Sequence, residues 1–222
     1  MSIDVLTTEV NLSRISIHKP MPSFYPADDD RERKPSYDYR PPPPSERLEY
    51  VLMDQENYPL MLELFEGDPD PFVMEAFKSR DALEEYKWAQ LDWNRYSFKH
   101  GAADYFMRLR GTETYVGVLH LYDLNSETYA DMPLRCTIGF AVHRDHRRRG
   151  YATEGIRALC AHVVAHYGRP IVLAYTELEN TVSQQLMLGL GFRDVTTTEG
   201  WSKKYRFFSI DLRTERLRKI CL

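Results

Sequence analysis

The chain has few cysteines, no surplus of positive charge and no long apolar run. Each absence excludes a class of protein. Cys136, Cys160 and Cys221 are the only three thiols in 222 residues. They show no metal-type pair spacing, and an odd, sparse set does not make a disulfide framework. A reducing cytoplasm is the expected compartment. A formal net charge of −4 argues against general nucleic-acid affinity and gives no sign of an anionic-membrane binder. No stretch approaches the roughly 20 apolar residues of a membrane span. Met1 to Ile17 mixes charges into its apolar residues, unlike a signal peptide. His100, His120, His143 and His146 have no spacing that suggests a metal, so each reads as a surface or core histidine and no metal is expected. No internal repeat is visible.

Proline is abundant in one place only. Eight of the 13 prolines lie between Pro20 and Pro44, ending in the run Pro41 to Pro44. With Asp28 to Asp30 and Arg31 to Lys34 alongside, residues 1–44 read as an N-terminal extension and extended linker. Val10, Leu12, Ile15 and Ile17 suit a short strand, and pairing with the core or with a second copy in a homodimer are both open. Residues 45–222 read as one domain in which strands and helices mix, of α/β or α+β class.

The alternation of Leu48, Tyr50 and Leu52 predicts a first strand. Asp54 opens a helical stretch through Tyr58, Met61, Leu62 and Phe65, and a second helix starts at Ser79. Tyr105 to Arg110 and Tyr115 to Tyr122 form a hairpin across Gly111, followed by a strand over Thr137 to His143. Ala152, Ile156, Leu159, Cys160, Val163, Val164 and Tyr167 recur at helical spacing, stopped by Gly168. Strand Ile171 to Tyr175, a helix over Thr181 to Leu188 capped by Asn180, and a strand over Lys204 to Leu212 complete the chain.

The turn between Val142 and the long helix carries the chemistry. Arg147, Arg148, Arg149 and Gly150 precede a helix whose first turn offers unpaired N–H groups and the positive end of its dipole. An anion settles readily at such a place, and Gly150 removes the Cβ that would block its approach. A phosphate contact and a solvated surface position are both open for Arg148 and Arg149. The Gly-Lys-Ser/Thr ending of a nucleotide-hydrolase P-loop is missing, and Gly189-Leu190-Gly191 ends a helix instead of opening one.

Arg147-Arg148-Arg149-Gly150-Tyr151-Ala152 resembles the Arg/Gln-x-x-Gly-x-Gly/Ala signature of the GNAT superfamily of acetyl-coenzyme A-dependent N-acetyltransferases. Ile138 to Val142 is similar to the strand that precedes it, and Tyr151 to Glu154 to the start of the family's cofactor helix. Asn180 to Ser183 with Leu190-Gly191-Phe192 resembles the second motif. Ser45 to Leu48 is similar to the opening of the ribosomal-protein N-terminal acetyltransferase branch. The resemblance covers roughly Ser45 to Leu212. It implies a layered α+β fold, a mixed and mostly antiparallel sheet splayed at the cofactor strand, with helices on both faces.

The resemblance further implies acetyl-CoA as cosubstrate, with its pyrophosphate on Arg147 to Ala152 and Thr153 and its pantetheine along Phe140, Ala141 and Val142. Asn180 is expected to touch the pantetheine as well as to cap its helix. The reaction implied is direct attack of a neutral primary amine, small molecule or peptide N-terminus, on the thioester. The family's tyrosine acid falls at Met187, which cannot donate a proton. The resemblance to the ribosomal-protein branch, which often has serine at the Ser183 position, makes Ser183 the replacement candidate, with a second capping or helix-surface hydroxyl equally open. Glu199 is the chosen base over Glu177 and Glu179, each of which also reads as a solvated loop residue. Deprotonating a lysine amine at neutral pH costs roughly 4 kcal/mol, against about 1 for an α-amine, so a weak base leans toward an α-amine. The aromatics available for an acceptor pocket, most of them also suited to the core, are Phe72, Phe77, Trp88, Trp93, Tyr96 and Tyr129, with Met74 and the loop from Glu66 to Ser79 as a rim. A catalytically silent acyl-CoA sensor and an unrelated phosphate-binding module are the alternative readings.

Overall fold

In the computed structural model, residues 37–87, 91, 101–124, 135–196 and 204–213 are described. They form strands β1 (Leu48–Leu52), β2 (Ala103–Leu109), β3 (Tyr115–Tyr122), β4 (Arg135–Val142), β5 (Ile171–Glu177), β6 (Arg193–Asp194) and β7 (Tyr205–Asp211). The helices are α1 (Leu60–Phe65), α2 (Arg80–Lys87), α3 (Tyr151–Tyr167) and α4 (Thr181–Gly189). The seven strands make one sheet in the order β1-β2-β3-β4-β5-β7-β6. Every neighbour is antiparallel except β4 and β5, which run parallel. The α+β class and mixed sheet implied by the motifs are observed.

Strand alternation divides the core in two. Tyr105, Met107, Leu119, Leu121 and Ile138 face α3 and α4, where Ile156, Leu159, Cys160, Val163 and Met187 cover them. Phe106 and Val118 face the other way, against Met61 and Phe65 of α1 and Leu83 of α2. Each such side chain, fully buried, stabilises the fold by about 1.5–3 kcal/mol, so these two layers outweigh any single polar contact. Helix α3 lies close on the sheet because Gly155 has no side chain: a Cβ there would sit 2.6 Å from Met107 Sδ. Gly168, at φ 63°, ends it, with the Arg169 amide bonded back to Val163 O.

Three expectations shift. The stretch from Asp54 is not helical at its start. Asp54 Oδ1 accepts from the amides of Glu56 and Asn57, Asn57 Oδ1 accepts from that of Asp54, and the Tyr58 amide bonds Asp54 O at 3.1 Å, which makes a capped turn; Pro59 has no N–H to carry it on as a regular helix. The helix begins after Pro59. Short 3-10 turns at 75–77 and 144–146, and the two-residue β6, lack the periodicity that marks longer elements. Residues 37–44, within the proline-rich segment, lie along α3. Tyr39 is buried, Tyr37 Oη donates to Leu124 O at 2.7 Å, and the carbonyls of Asp38 and Arg40 meet Nε2 of His166 and His162 at 2.7 and 2.9 Å. The possible strand over Val10 to Ile17 lies outside the described residues, as do Cys221, His100, Trp88, Trp93, Tyr96 and Tyr129. Cys136 and Cys160 are both buried.

Gly117 tests the β3–β4 register. Its hypothetical Cβ falls 2.3 Å from Ala141 O and 3.0 Å from Val142 Cα, both backbone atoms that cannot swing aside. Gly117→Ala is expected to lose about 1–3 kcal/mol in urea unfolding; an unchanged midpoint contradicts the packing.

Candidate functional site

The site begins as a gap in the sheet. β4 and β5 pair only over Arg135–Ile171, Cys136–Val172 and Thr137–Leu173. Beyond Thr137 the two strands part, while β4 stays paired to β3 as far as Val142 and β5 to β7 as far as Glu177. The His143 amide bonds Val116 O, which fixes the phase of the antiparallel ladder. Odd-numbered β4 residues bond β3, so the backbone groups of Phe140 and Val142 point into the gap. Because β4 and β5 are parallel, the turns that follow both strands lie at the same end of it. In open sheets with parallel strands, that end is where ligands bind.

At that end, Arg148 and Gly150 adopt left-handed conformations, φ 60° and 80°. Alternation of this kind turns successive amides toward one point, and α3 starts at Tyr151 with no side-chain cap. Among the described residues, the N–H groups of Arg148, Arg149, Gly150, Tyr151, Ala152 and Thr153 have no acceptor. The first amide of this segment used by the protein is that of Glu154, on Gly150 O at 3.1 Å. A run of open amides at a helix N-terminus fits a diphosphate.

Two ion-pair clusters hold this turn, each with partners from a segment distant along the chain that no local pattern marks. Arg147 does not extend into solvent. Its Nε donates to Val142 O at 2.9 Å, and its other nitrogens meet Asp68 Oδ2 at 2.6 Å and Asp70 Oδ2 at 3.0 Å. Asp68 is buried, so the pair joins the Glu66–Ser79 loop to the turn. On the other side, Glu154 Oε1 accepts from Ser45 Oγ and the Arg47 amide, both at 2.7 Å, and Oε2 from Arg47 Nε at 2.7 Å. Arg47 also donates to Arg149 O at 2.9 Å and lies 4.8 Å over the Tyr151 ring. Burial raises the Glu154 pKa, but the hydrogen bonds from Ser45 and Arg47 outweigh it and hold the carboxyl below its ordinary value.

The remaining site residues separate. Arg148 and Arg149 are exposed. Phe140 packs partly on the α3-side core, and Ala141 on the α1 side. Asn180 caps α4, accepting from the Ser183 amide at 3.1 Å, and the Ser183 hydroxyl has no partner among the described residues. Met187 is buried in the core. Glu199 lies outside the described residues. Glu177 ends β5 and Glu179 is exposed. Phe77 is fully buried, whereas Phe72 and Met74 are exposed on the 66–79 loop. No group of three metal-ligating side chains occurs among the described residues, and no described helix is long and apolar enough to cross a membrane.

A splayed parallel pair with open amides at its carboxyl end is the arrangement of an acetyltransferase sheet. The chain belongs to the acetyltransferase (GNAT) domain family, whose model matches residues 47–193. That family uses acetyl-CoA as cosubstrate. Among solved structures it is similar to spermidine/spermine N-acetyltransferase SpeG from Vibrio cholerae, crystallised with manganese ions: 12% identity, 75% of this chain, 93% of that chain, TM-score 0.54. It is also similar to apo FdhC, a nucleotide-linked sugar GNAT: 9% identity, 77% of this chain, 89% of that chain, TM-score 0.57. No curated protein matches the sequence at a significant level.

Removing Arg147 leaves the buried Asp68 carboxylate unpaired, so Arg147→Ala is expected to cost about 3–5 kcal/mol of unfolding free energy. Arg148→Ala, at an exposed position, is expected to stay within about 0.5; equal losses contradict the assignment. The Glu154 contribution carries a pH signature. Its folded pKa is depressed, so its stabilisation is present at neutral pH and is lost as pH falls through that folded value. Glu154→Gln is expected to flatten the melting temperature against pH below about pH 5; parallel curves contradict it.

Proposed function

We propose that the protein transfers an acetyl group from acetyl-CoA to a primary amine, a small molecule or a peptide N-terminus, by direct attack. The carrying observation is the run of amides from Arg148 to Thr153, open at the mouth of the β4–β5 gap. In this reading those amides hold the pyrophosphate, and the exposed Arg148 and Arg149 add positive charge beside it. Arg147 acts differently from its neighbours: its guanidinium braces the turn against Asp68 and Asp70 and leaves its amide side to the loop.

The pantetheine then runs along β4, bonding to the N–H and C=O of Phe140, while the Val142 carbonyl is held by Arg147. The Val142 N–H is the candidate donor to the thioester oxygen, where negative charge develops during attack. Asn180 and Ser183 flank the same end from the turn after β5. The free Ser183 hydroxyl is the candidate proton donor to the departing sulfur, in the role Met187 cannot take. The acceptor enters from the α1/α2 face, past the exposed Phe72 and Met74. The opening resemblance to the ribosomal-protein branch favours a peptide N-terminus; the activity named for the Vibrio cholerae structure, on spermidine and spermine, makes a polyamine the second acceptor class to assay.

Thermal stabilisation by acetyl-CoA, followed by thiol release across spermidine, α-blocked lysine and a peptide N-terminus, tests the reading. Stabilisation and turnover are both expected, with the peptide α-amine better than a lysine side chain whose own α-amine is blocked; equal or better turnover on that side chain counts against the α-amine preference. Gly150→Val is expected to abolish the stabilisation. Its left-handed φ strains any side chain, and the Cβ would stand 3.3 Å from the Arg47 guanidinium, at the phosphate's approach. Stabilisation without turnover on any amine supports a silent coenzyme sensor instead.

A further inference from the structure

A buried polar cluster stands on the α1/α2 face of the sheet, outside the coenzyme loop. The strand register puts Asp104 of β2, His120 of β3 and Gly139 of β4 in one row. Asp104 and His120 are 2% and 3% exposed. His120 Nδ1 lies 2.7 Å from Asp104 Oδ1, and Tyr86 Oη donates to Asp104 Oδ2 at 2.8 Å. Phe77 stacks on the imidazole at 5.2 Å and Tyr122 at 5.9 Å, so the ring is held in one plane.

The other edge of the ring points toward β4. A Cβ on Gly139 would meet His120 Cδ2 at 3.4 Å, so a glycine there leaves room for the imidazole to lie along the strand. Nε2 is bonded to Cδ2 and lies on this edge, away from Asp104. It has no hydrogen-bond partner among the described residues. A buried histidine that served only to tie strands together would be expected to have both nitrogens satisfied. Here one nitrogen is fixed by a carboxylate and the other is left open beside Gly139, within the part of β4 that has separated from β5.

Building on the acetyl-transfer reading above, we propose that His120 is the base that takes the proton from the attacking amine, with Asp104 as its positioning residue. A proton on Nδ1 faces Asp104 and leaves the Nε2 lone pair toward the gap. As the amine attacks, the N–C bond forms and the C–S bond breaks, its electron pair leaving with sulfur. The amine proton moves to Nε2, the Ser183 hydroxyl gives its proton to the thiolate, and the imidazolium proton passes to solvent as solvent restores the serine hydroxyl. No other reactant is needed.

Among the described residues, the titratable groups packed on the ring are Asp104, Tyr86 and Tyr122, with Asp123 beyond Tyr122. Burial and then the Asp104 charge push both tyrosine hydroxyls well up, so they remain protonated donors at neutral pH.

The test is steady-state kinetics from about pH 5.5 to about pH 9 on the wild type, His120→Gln, Asp104→Asn and Glu199→Gln, using acetyl-CoA with the best acceptor among spermidine, free lysine and a peptide N-terminus. His120→Gln is expected to lower kcat about 100-fold or more and to remove the acid limb of the profile. Its KM for acetyl-CoA and its thermal stabilisation by the coenzyme should persist. Asp104→Asn should lower kcat and displace the limb, since the carboxylate no longer fixes the tautomer. Full activity with an unchanged profile in His120→Gln overturns the proposal, as does loss of the acid limb in Glu199→Gln alone. Should His120→Gln fail to fold, a wild-type kcat and limb in Asp104→Asn overturns it equally. A wild type that binds coenzyme yet acetylates none of these amines defeats the acetyl-transfer reading and the base together; an active wild type with an equally active His120→Gln defeats the base alone.

Discussion

The fold depends on keeping one set of backbone donors unused. Helices usually satisfy their first amides with a capping side chain, because an unpaired N–H is costly away from water. Here α3 starts after a glycine with no capping side chain, and two left-handed residues turn the amides outward. Left-handed backbone at a non-glycine residue is uncommon and strained. Arg148 persists in it because the turn is held from both sides, by Arg147 on Asp68 and Asp70 and by Arg47 on Glu154 and the Arg149 carbonyl.

Those braces differ in energy as well as in partners. The Asp68 carboxylate is buried, so its pairing with Arg147 is worth most as the avoidance of an unpaired charge. The Arg47–Glu154 pair is nearer the surface, and an ordinary exposed pair stabilises by about 1 kcal/mol or less. Its value lies in position: it ties the first strand to the first turn of α3. The apolar layers on the two faces supply the bulk of the stability, and the charged clusters set where the anion-binding turn sits on that support.

The gap between β4 and β5 follows from the same economy of backbone pairing. A parallel pair that continued past Thr137 would have consumed the N–H and C=O groups of Phe140 and Val142. Instead the strands diverge, each held by its antiparallel neighbour; Arg147 takes the Val142 carbonyl, and the Phe140 N–H and C=O and the Val142 N–H are left without a partner among the described residues. An interior edge is a natural template for an extended ligand that bonds as a strand does.

Most of the elements were legible from periodicity and punctuation. The alternation in β1, the hairpin turn before Thr114 and the apolar stripe of α3 ending at Gly168 each constrain backbone conformation locally. So does the anion-binding character of the turn at Gly150, because the glycine, the helix start and the arginines are contiguous. What the periodicity missed was an interruption by proline: Asp54 caps a turn through Tyr58, and Pro59, which has no N–H, delays the regular helix to Leu60. The family membership of residues 47–193 accords with the motif order. Contacts between distant residues were decided by the tertiary structure alone. The Arg147 side chain reaches Asp68 and Asp70 from another loop, and His120 meets Asp104 of the neighbouring strand. The physical reason is that helices, turns and strand faces are set by neighbours along the chain, whereas an ion pair or a hydrogen-bonded imidazole needs two segments brought to within about 3 Å, which only the sheet register can do.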